Sequence, residues 1–507
     1  MTSAPTFTPP CGPVEGWRDG AVTRATGIPY ATAGRFEVPV AAADWETPFA
    51  ATEWSAPCPQ KPVPFLDEVL GAARYDVQPD ENCLRLSVTM PSDLGEGESL
   101  PVMVWIHGGS YTSGAGDIPI MDPAPLVAEQ RVIVVTVTYR LGLFGYLGGG
   151  DGQGEVSGEG QGEVSGEGLD AGLGEGPGEG LGAGLDADSG ANRSAAAAGG
   201  AGSSADGAAS GAGTADSWPA NLGLLDQWRA FEWVQRNISA FGGDPREVTA
   251  FGQSAGGDAV AHLMAIPGAS KLFRRAIIQS APLGISRGRA AMNAALREVA
   301  GSAAAARALS AVELVALQGR VEAAASGFGL AAAMPLGTQY GEAPLPAEDG
   351  VDAAWEAVAP EIDVLVGNTS EEAGLFVPRL PSTEKLVRLP VIGKGLSKVL
   401  VSVLTRSVYG KSSRAFAKRH ARAGGTAHHF VVSWSAKGSP WGAAHTIDLP
   451  LLFGDERAWS DATLLTGASW AEVQDAAKPM RQVWADFARG AAPQSIPGVL
   501  SCSRVSR

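Results

Sequence analysis

The sequence predicts an α/β fold, a central, mostly parallel, twisted sheet flanked by helices. Three observations predict it. Short β-branched runs recur without clean polar alternation, as expected of strands covered on both faces. Segments of helical period lie between them, and strands alternating with helices build a parallel sheet. One run, Val248 to Phe251, passes through small residues straight into a helical stretch.

Taken in order, Pro101 to Ile106 and Arg131 to Thr138 read as buried strands. Asn221 to Ser239 reads as a helix, with Leu224, Leu225, Trp228, Phe231, Trp233, Val234 and Ile238 near a 3.6-residue period. Strand Val248 to Phe251 precedes helix Ala255 to Ile266, and Ala276 to Gln279 is the next strand. The Ala-rich stretch from Ala291 to Ala333 supplies helices that cap the sheet. Asp363 to Val366 and Ala427 to Ser433 are strand-like, and Trp470 to Arg489 is helical. Residues 378–424 are basic and helix-like, with no evident chemistry, and His420 is expected to be exposed there. Gly410-Lys411-Ser412 resembles the end of a phosphate-binding loop. The glycine required five residues before Gly410 is Thr405, so that reading is set aside.

Composition narrows the class. The 507 residues carry a net charge of −16, which disfavours a nucleic-acid-binding or basic membrane-surface protein. Most of that charge is local: residues 148–217 hold twelve acids and one base, Arg193, with 24 glycines. The octad Gln-Gly-Glu-Val-Ser-Gly-Glu-Gly occurs there at 153–160 and again at 161–168. Glycine costs backbone entropy, and nothing here buries enough surface to offset it, so a disordered insertion is expected. The glycine-rich nonapeptide of calcium-binding β-helices is absent. The rest, 1–507 apart from this insertion, reads as one catalytic domain. Four cysteines exclude a disulfide-stapled mini-protein. The start lacks a basic region followed by an apolar stretch, and no apolar run reaches the ~20 residues of a bilayer span. A cytoplasmic protein without a transmembrane segment is expected.

The chemistry begins at Gly252-Gln253-Ser254-Ala255-Gly256, in the strand–turn–helix context of a nucleophile elbow. Such a turn lifts the Ser254 Oγ above the sheet edge, at a helix N-terminus where N–H groups face developing negative charge. His107-Gly108-Gly109-Ser110-Tyr111 follows the strand Pro101 to Ile106. A loop with little side-chain bulk lets backbone N–H groups approach a substrate oxygen. A serine nucleophile needs a base, and there are six histidines. His107 belongs to the oxyanion loop. His262 lies eight residues into the helix, about 12 Å along its axis, and points away. His428 and His429 sit inside a strand. His445 follows a small-residue loop late in the chain, where the order Ser, acid, His wants its base. The acid fits after strand Asp363 to Val366, at Glu371 or Glu372, which spacing does not separate. Asp448 is the rival, although it follows the histidine.

These residues together resemble the type B carboxylesterases of the α/β-hydrolase superfamily, most of all bacterial para-nitrobenzyl-esterase-like members. The likeness runs through Gly27-Ile28-Pro29-Tyr30-Ala31, Cys58-Pro59-Gln60, Glu81-Asn82-Cys83-Leu84, Tyr139-Arg140-Leu141-Gly142, Asn221 to Gln227, Phe241 to Pro245 and the elbow, ending near Trp484 to Gly490. The resemblance implies the α/β-hydrolase fold and selects Glu372, five residues after Gly367, as the acid. It implies oxyanion donors on Gly109, Ser110 and Ala255, Ser280 behind the histidine, ion pairs Arg35–Glu81 and Arg140–Asp226, and Cys58 with Cys83 as the family's disulfide pair, oxidised or reduced according to compartment. Cys11 and Cys502 have no counterpart, Ala373 replaces the usual glycine, and residues 501–507 depart from the family. The expected function is a serine carboxylesterase that hydrolyses a small-molecule ester through an acyl-enzyme on Ser254, His445 and Glu372, with no metal or organic cofactor. The alternatives are a non-catalytic adhesion relative and an acyltransferase using the same triad.

Overall fold

The structure, a computed structural model, describes residues 4–71, 77–95, 97–148, 216–379 and 392–506. One compact unit combines residues 1–152 with 213–507. The expected disordered insertion lies outside the described residues, apart from its two ends.

Among the described residues, ten strands form the main sheet: β1 (Trp17–Asp19), β2 (Val22–Pro29), β3 (Arg85–Pro91), β4 (Leu100–Ile106), β5 (Ile133–Thr138), β6 (Gly243–Gln253), β7 (Arg275–Gln279), β8 (Asp363–Thr369), β9 (Ala427–Val432) and β10 (Leu500–Arg504). Their spatial order is β10-β9-β8-β7-β6-β4-β5-β3-β2-β1. The run from β9 to β5 is parallel. The flanking strands β3, β2, β1 and β10 are antiparallel to their neighbours. The sheet is therefore mixed but mostly parallel, the α/β-hydrolase arrangement. Residues 500–504 pair along β9 as an edge strand.

Both faces are covered, which is why the central strands read as unbroken apolar runs. On β4, Val102, Val104 and Ile106 enter one core, while Met103 and Trp105 enter the other. Helix α2 (Leu222–Asn237) and helix α3 (Ala255–Met264) pack into the first. Helix α1 (Ala124–Gln130) and helix α8 (Trp470–Ala488) pack into the second, where Trp105 meets Phe251 and Phe453 at centroid distances of 4.8 and 4.6 Å. Between β7 and β8 lie α4 (Ala290–Ala300) and α5 (Ala311–Ala324). Between β8 and β9 lie α6 (Ile392–Leu404) and α7 (Lys411–Arg422). No helix among the described residues is long and apolar enough to cross a membrane.

Register positions the site. Ile106 on β4 pairs with Gly252 on β6, Gln253 with Gln279 on β7, and Gln279 with Gly367 on β8. Four neighbouring parallel strands thus end on one edge, and their C-terminal loops start side by side. This is where an open α/β sheet carries its ligands.

Candidate active site

Ser254 follows the last residue of β6 and precedes α3, at φ 58° and ψ −126°. A side chain is rarely held in that region, so the surroundings must enforce it. They do so through glycine. A Cβ on Gly256 would lie 2.0 Å from the Ile106 carbonyl oxygen, and one on Gly252 would lie 2.5 Å from the Gly256 oxygen. The Ser254 N–H donates to the Gln279 carbonyl at 2.9 Å, tying the turn to β7. Ser254 itself stays half-buried, open to a substrate.

The loop after β4 wraps the elbow. Gly108 is pressed against it, since a Cβ there would lie 2.6 Å from the Gln253 oxygen and 3.0 Å from the Ser254 Cβ. Gly109, Ser110 and Tyr111 all have positive φ, at 115°, 54° and 60°. The Gly109 carbonyl is consumed by the N–H groups of Thr112 and Ser113, each at 3.0 Å. Among the described residues, the N–H groups of Gly109, Ser110 and Ala255 donate to no protein acceptor. His107 does not join this set. Its ring stacks on Tyr139 at 4.4 Å, and its Nδ1 meets the Gly108 carbonyl at 2.7 Å. Burial lowers its pKa to about 4, against the smaller opposing effect of that carbonyl, so the ring stays neutral.

His445 and Glu372 are brought together. Nδ1 of His445 lies 2.5 Å from Oε2 of Glu372, and both side chains are buried. The other carboxylate oxygen accepts the Thr369 N–H at 2.6 Å, which fixes Glu372 at the end of β8. Its neighbour Glu371 turns the other way and accepts the Ala443 N–H at 2.9 Å, holding the loop that carries His445. With Nδ1–H donating to the Glu372 carboxylate, His445 presents a lone pair at Nε2. That nitrogen faces the Gln253 Nε2 at 3.3 Å, which suits an amide N–H donor. Among the described residues no hydrogen bond joins the Ser254 hydroxyl to the imidazole. The ring is held one residue away, on the side chain preceding Ser254. The rings of Tyr409 and Phe376 pack on it at 5.4 and 5.5 Å.

The other candidates fall elsewhere. Asp448 accepts from Gln279 Nε2 at 2.5 Å, and Gln279 Oε1 accepts from Trp484 Nε1 at 3.0 Å. Burial pushes the Asp448 carboxyl up to about 6 although the Gln279 bond pulls the other way. Ser280 is buried, with φ 49° and its N–H on the Gly367 carbonyl at 2.8 Å; its hydroxyl has no partner among the described residues. His262 bonds the Asp258 carbonyl and the Tyr340 hydroxyl, each at 2.7 Å. His420 is a correction. It is buried, not exposed, with Nε2 2.7 Å from the Ile362 carbonyl, because α7 turns that residue inward with Phe416 and Ala417. Cys58 and Cys83 lie together. Both are free, buried thiols. The hydrogen bond to Cys58, then burial, push the Cys83 thiol well up, and Cys58 Sγ accepts the Leu141 N–H at 3.3 Å. Both ion pairs form: Arg35 with Glu81, and Arg140 with Asp226 at 2.6 Å in a buried, two-pronged contact.

Sequence reasoning missed the roles of Gln253 and Glu371. Gln253 occupies a variable position of the elbow motif, and no spacing rule says that its amide meets the imidazole.

Known proteins resemble this chain along most of its length. A model of the carboxylesterase family matches residues 3–158 and 211–390. A probable N-octanoylanthranilate hydrolase of Rhodococcus erythropolis is 32% identical over 490 residues, covering 95% of this chain and 92% of the relative. A para-nitrobenzyl esterase of Bacillus subtilis is 36% identical over 141 residues, 27% of each chain. The solved structure of a thermophilic para-nitrobenzyl esterase superposes with a TM-score of 0.70 at 26% identity, over 97% of this chain and 92% of that one. A shared sheet, a strained serine elbow, a buried histidine–glutamate pair and this breadth of similarity lead to one conclusion: the chain belongs to the carboxylesterase family, carboxylic ester hydrolases of serine type.

Proposed function

We propose that Ser254, His445 and Glu372 carry out the hydrolysis, with Gly109, Ser110 and Ala255 as oxyanion donors. The observation that carries this reading is the buried Glu372–His445 contact, on the same sheet edge as Ser254 and three N–H groups without protein acceptors. His445 leaves Gln253 by a small ring movement and takes the Ser254 proton as Oγ attacks the carbonyl carbon. Catalytic hydrogen bonds are commonly loose before substrate binds. The C=O bond opens to an oxyanion held by the three N–H groups, each worth about 100- to 1000-fold in rate. His445 returns the proton to the leaving alcohol as the tetrahedral intermediate collapses to the acyl-enzyme. Water then attacks with His445 as base, releasing the acid and restoring Ser254. Glu372 stabilises the imidazolium formed in each half. No metal or organic cofactor enters any step.

For the substrate, we infer a carboxylic ester, the class that the family acts on. The breadth of similarity to the N-octanoylanthranilate hydrolase supports a second class, N-acylated aromatic amines. Purified protein assayed on p-nitrophenyl esters of graded chain length and on N-octanoylanthranilate separates the two. Ser254→Ala should abolish turnover of every substrate while the circular-dichroism spectrum is unchanged; retained turnover would overturn the residue assignment.

A further inference from the structure

The basic stretch between Glu372 and His445 is used by none of this chemistry. From Ile392 to Arg422 the sequence has eight of the chain's 38 Lys and Arg residues and none of its 54 acids. In the structure, α6, a single π-helical turn at Thr405–Gly410 and α7 follow one another, and the junction residues Leu404 and Gly410 keep right-handed helical angles. The inner flank packs on the body: α6 on the Glu372–Leu375 turn, α7 on β8 and β9.

The outer flank has two parts. On α6, Leu396, Val399 and Val403 are 40, 61 and 55% exposed. Their spacing places them on one helix face. Lys398 and Arg406 are exposed at its margin. On α7, Lys411, Arg414, Lys418 and Arg422 are exposed at helical spacing. Among the described residues none of these six cations has a carboxylate partner; Arg419, which does, turns toward Asp352 at 3.0 Å.

An exposed apolar stripe bordered by unpaired cations is the pattern of a helix that lies in a lipid interface. We propose that this helical segment docks on an anionic lipid surface, with Leu396, Val399 and Val403 entering the acyl boundary and the six cations meeting lipid phosphates. Charge complementarity selects this occupant. A nucleic acid has no use for the apolar stripe. A second copy of this chain would bring its own six cations against these. The body of an acidic protein is repelled by such a surface, so only this segment can approach it. Because α6 rests on the turn that begins at Glu372, docking brings the lipid phase beside the candidate active site.

The test is co-sedimentation of the full chain with phosphatidylcholine vesicles, with and without phosphatidylglycerol, at low and high salt. It does not depend on turnover. Binding is expected to phosphatidylglycerol vesicles only, and to fall with salt. Val399→Asp with Val403→Asp should weaken it at least about tenfold. Each of Lys411→Glu, Arg414→Glu and Lys418→Glu should weaken it roughly fivefold or more. Melting temperature and p-nitrophenyl acetate hydrolysis should stay at wild-type values in all of them. No binding by the wild type, equal binding to neutral vesicles, or full binding by these variants would overturn the proposal. So would a wild-type dimer, seen by light scattering, that the double aspartate variant converts to monomer.

Discussion

Ser254, His445 and Gln253 form a triangle in which the imidazole has two claimants. Its Nε2 rests 3.3 Å from the Gln253 amide, while the hydroxyl proposed to use it belongs to the next residue. A carboxylate at the same place would stabilise the imidazolium and raise its pKa. Gln253→Glu should therefore move the acidic limb of the kcat/KM profile upward by about one pH unit; an unmoved limb would mean that residue 253 does not face the base. At the other ring nitrogen the Glu372 carboxylate faces Nδ1 at 2.5 Å, where it favours the Nδ1–H tautomer. Glu372→Gln should lower kcat about 1000- to 10,000-fold with little change in KM, whereas Glu371→Gln, whose amide oxygen can still accept the Ala443 N–H, should retain most activity. The adjacent carboxylates were inseparable by spacing for a physical reason. Both are used, one on each side of the same turn, and only the three-dimensional path of the His445 loop tells them apart.

At the scale of elements, the parallel strands were legible because burial on both faces leaves a continuous β-branched signature. β4, β5, β6, β7 and β8 lie where Pro101, Arg131, Val248, Ala276 and Asp363 announced them. β1, β2, β3 and β10 were not, since antiparallel flanking strands mix Thr, Ser, Arg and Gly and their pairing is set by neighbours rather than by composition. His420 was misread for a related reason. A cation-rich segment looks exposed in bulk, but an amphipathic helix sorts its residues, sending Lys411, Arg414 and Lys418 outward and Phe416, Ala417 and His420 inward. On β9, His429 faces Ser413 of α7 at 3.2 Å. Burial, then the Arg414 cation, lower its pKa to about 4. An unfolded chain takes up that proton near pH 6.5, so the native state binds fewer protons between the two values. The stability is fully present above about pH 6.5 and is lost as pH falls toward 4, on the order of 3 kcal/mol for this group. His429→Gln should flatten the urea midpoint against pH across that window, and an unchanged slope would show that the strand's histidine is already solvated.

For the whole molecule, the two apolar layers and the buried Arg140–Asp226 pair, which links the chain after β5 to α2, close around the sheet among the described residues. The two ends flanking residues 149–215 are pinned close to one another. Gly148 lies so near that a Cβ on it would be 2.3 Å from the Pro219 oxygen and 2.6 Å from the Ala220 Cα. Its carbonyl accepts from Arg297 at 3.2 Å, and the Asp216 carbonyl accepts the Ala303 N–H at 3.1 Å. Excising 149–215 and joining the ends by a short Gly-Ser link should leave the melting temperature and p-nitrophenyl acetate turnover near wild type. A collapse of either would make the segment part of the fold. The composition break at 148 and 217 was plain from glycine and charge alone; that the chain leaves and returns at one point was not, because only packing brings Gly148 to Pro219.

The central claim is that Ser254 is a nucleophile activated by His445. A fluorophosphonate probe reads this directly, since it bonds to an activated serine and to few others. Peptide mapping of the labelled full chain should find one adduct, on Ser254, lost in His445→Ala and absent in Ser254→Ala. Folded wild-type protein that takes no label, or takes it on another serine, would contradict the account.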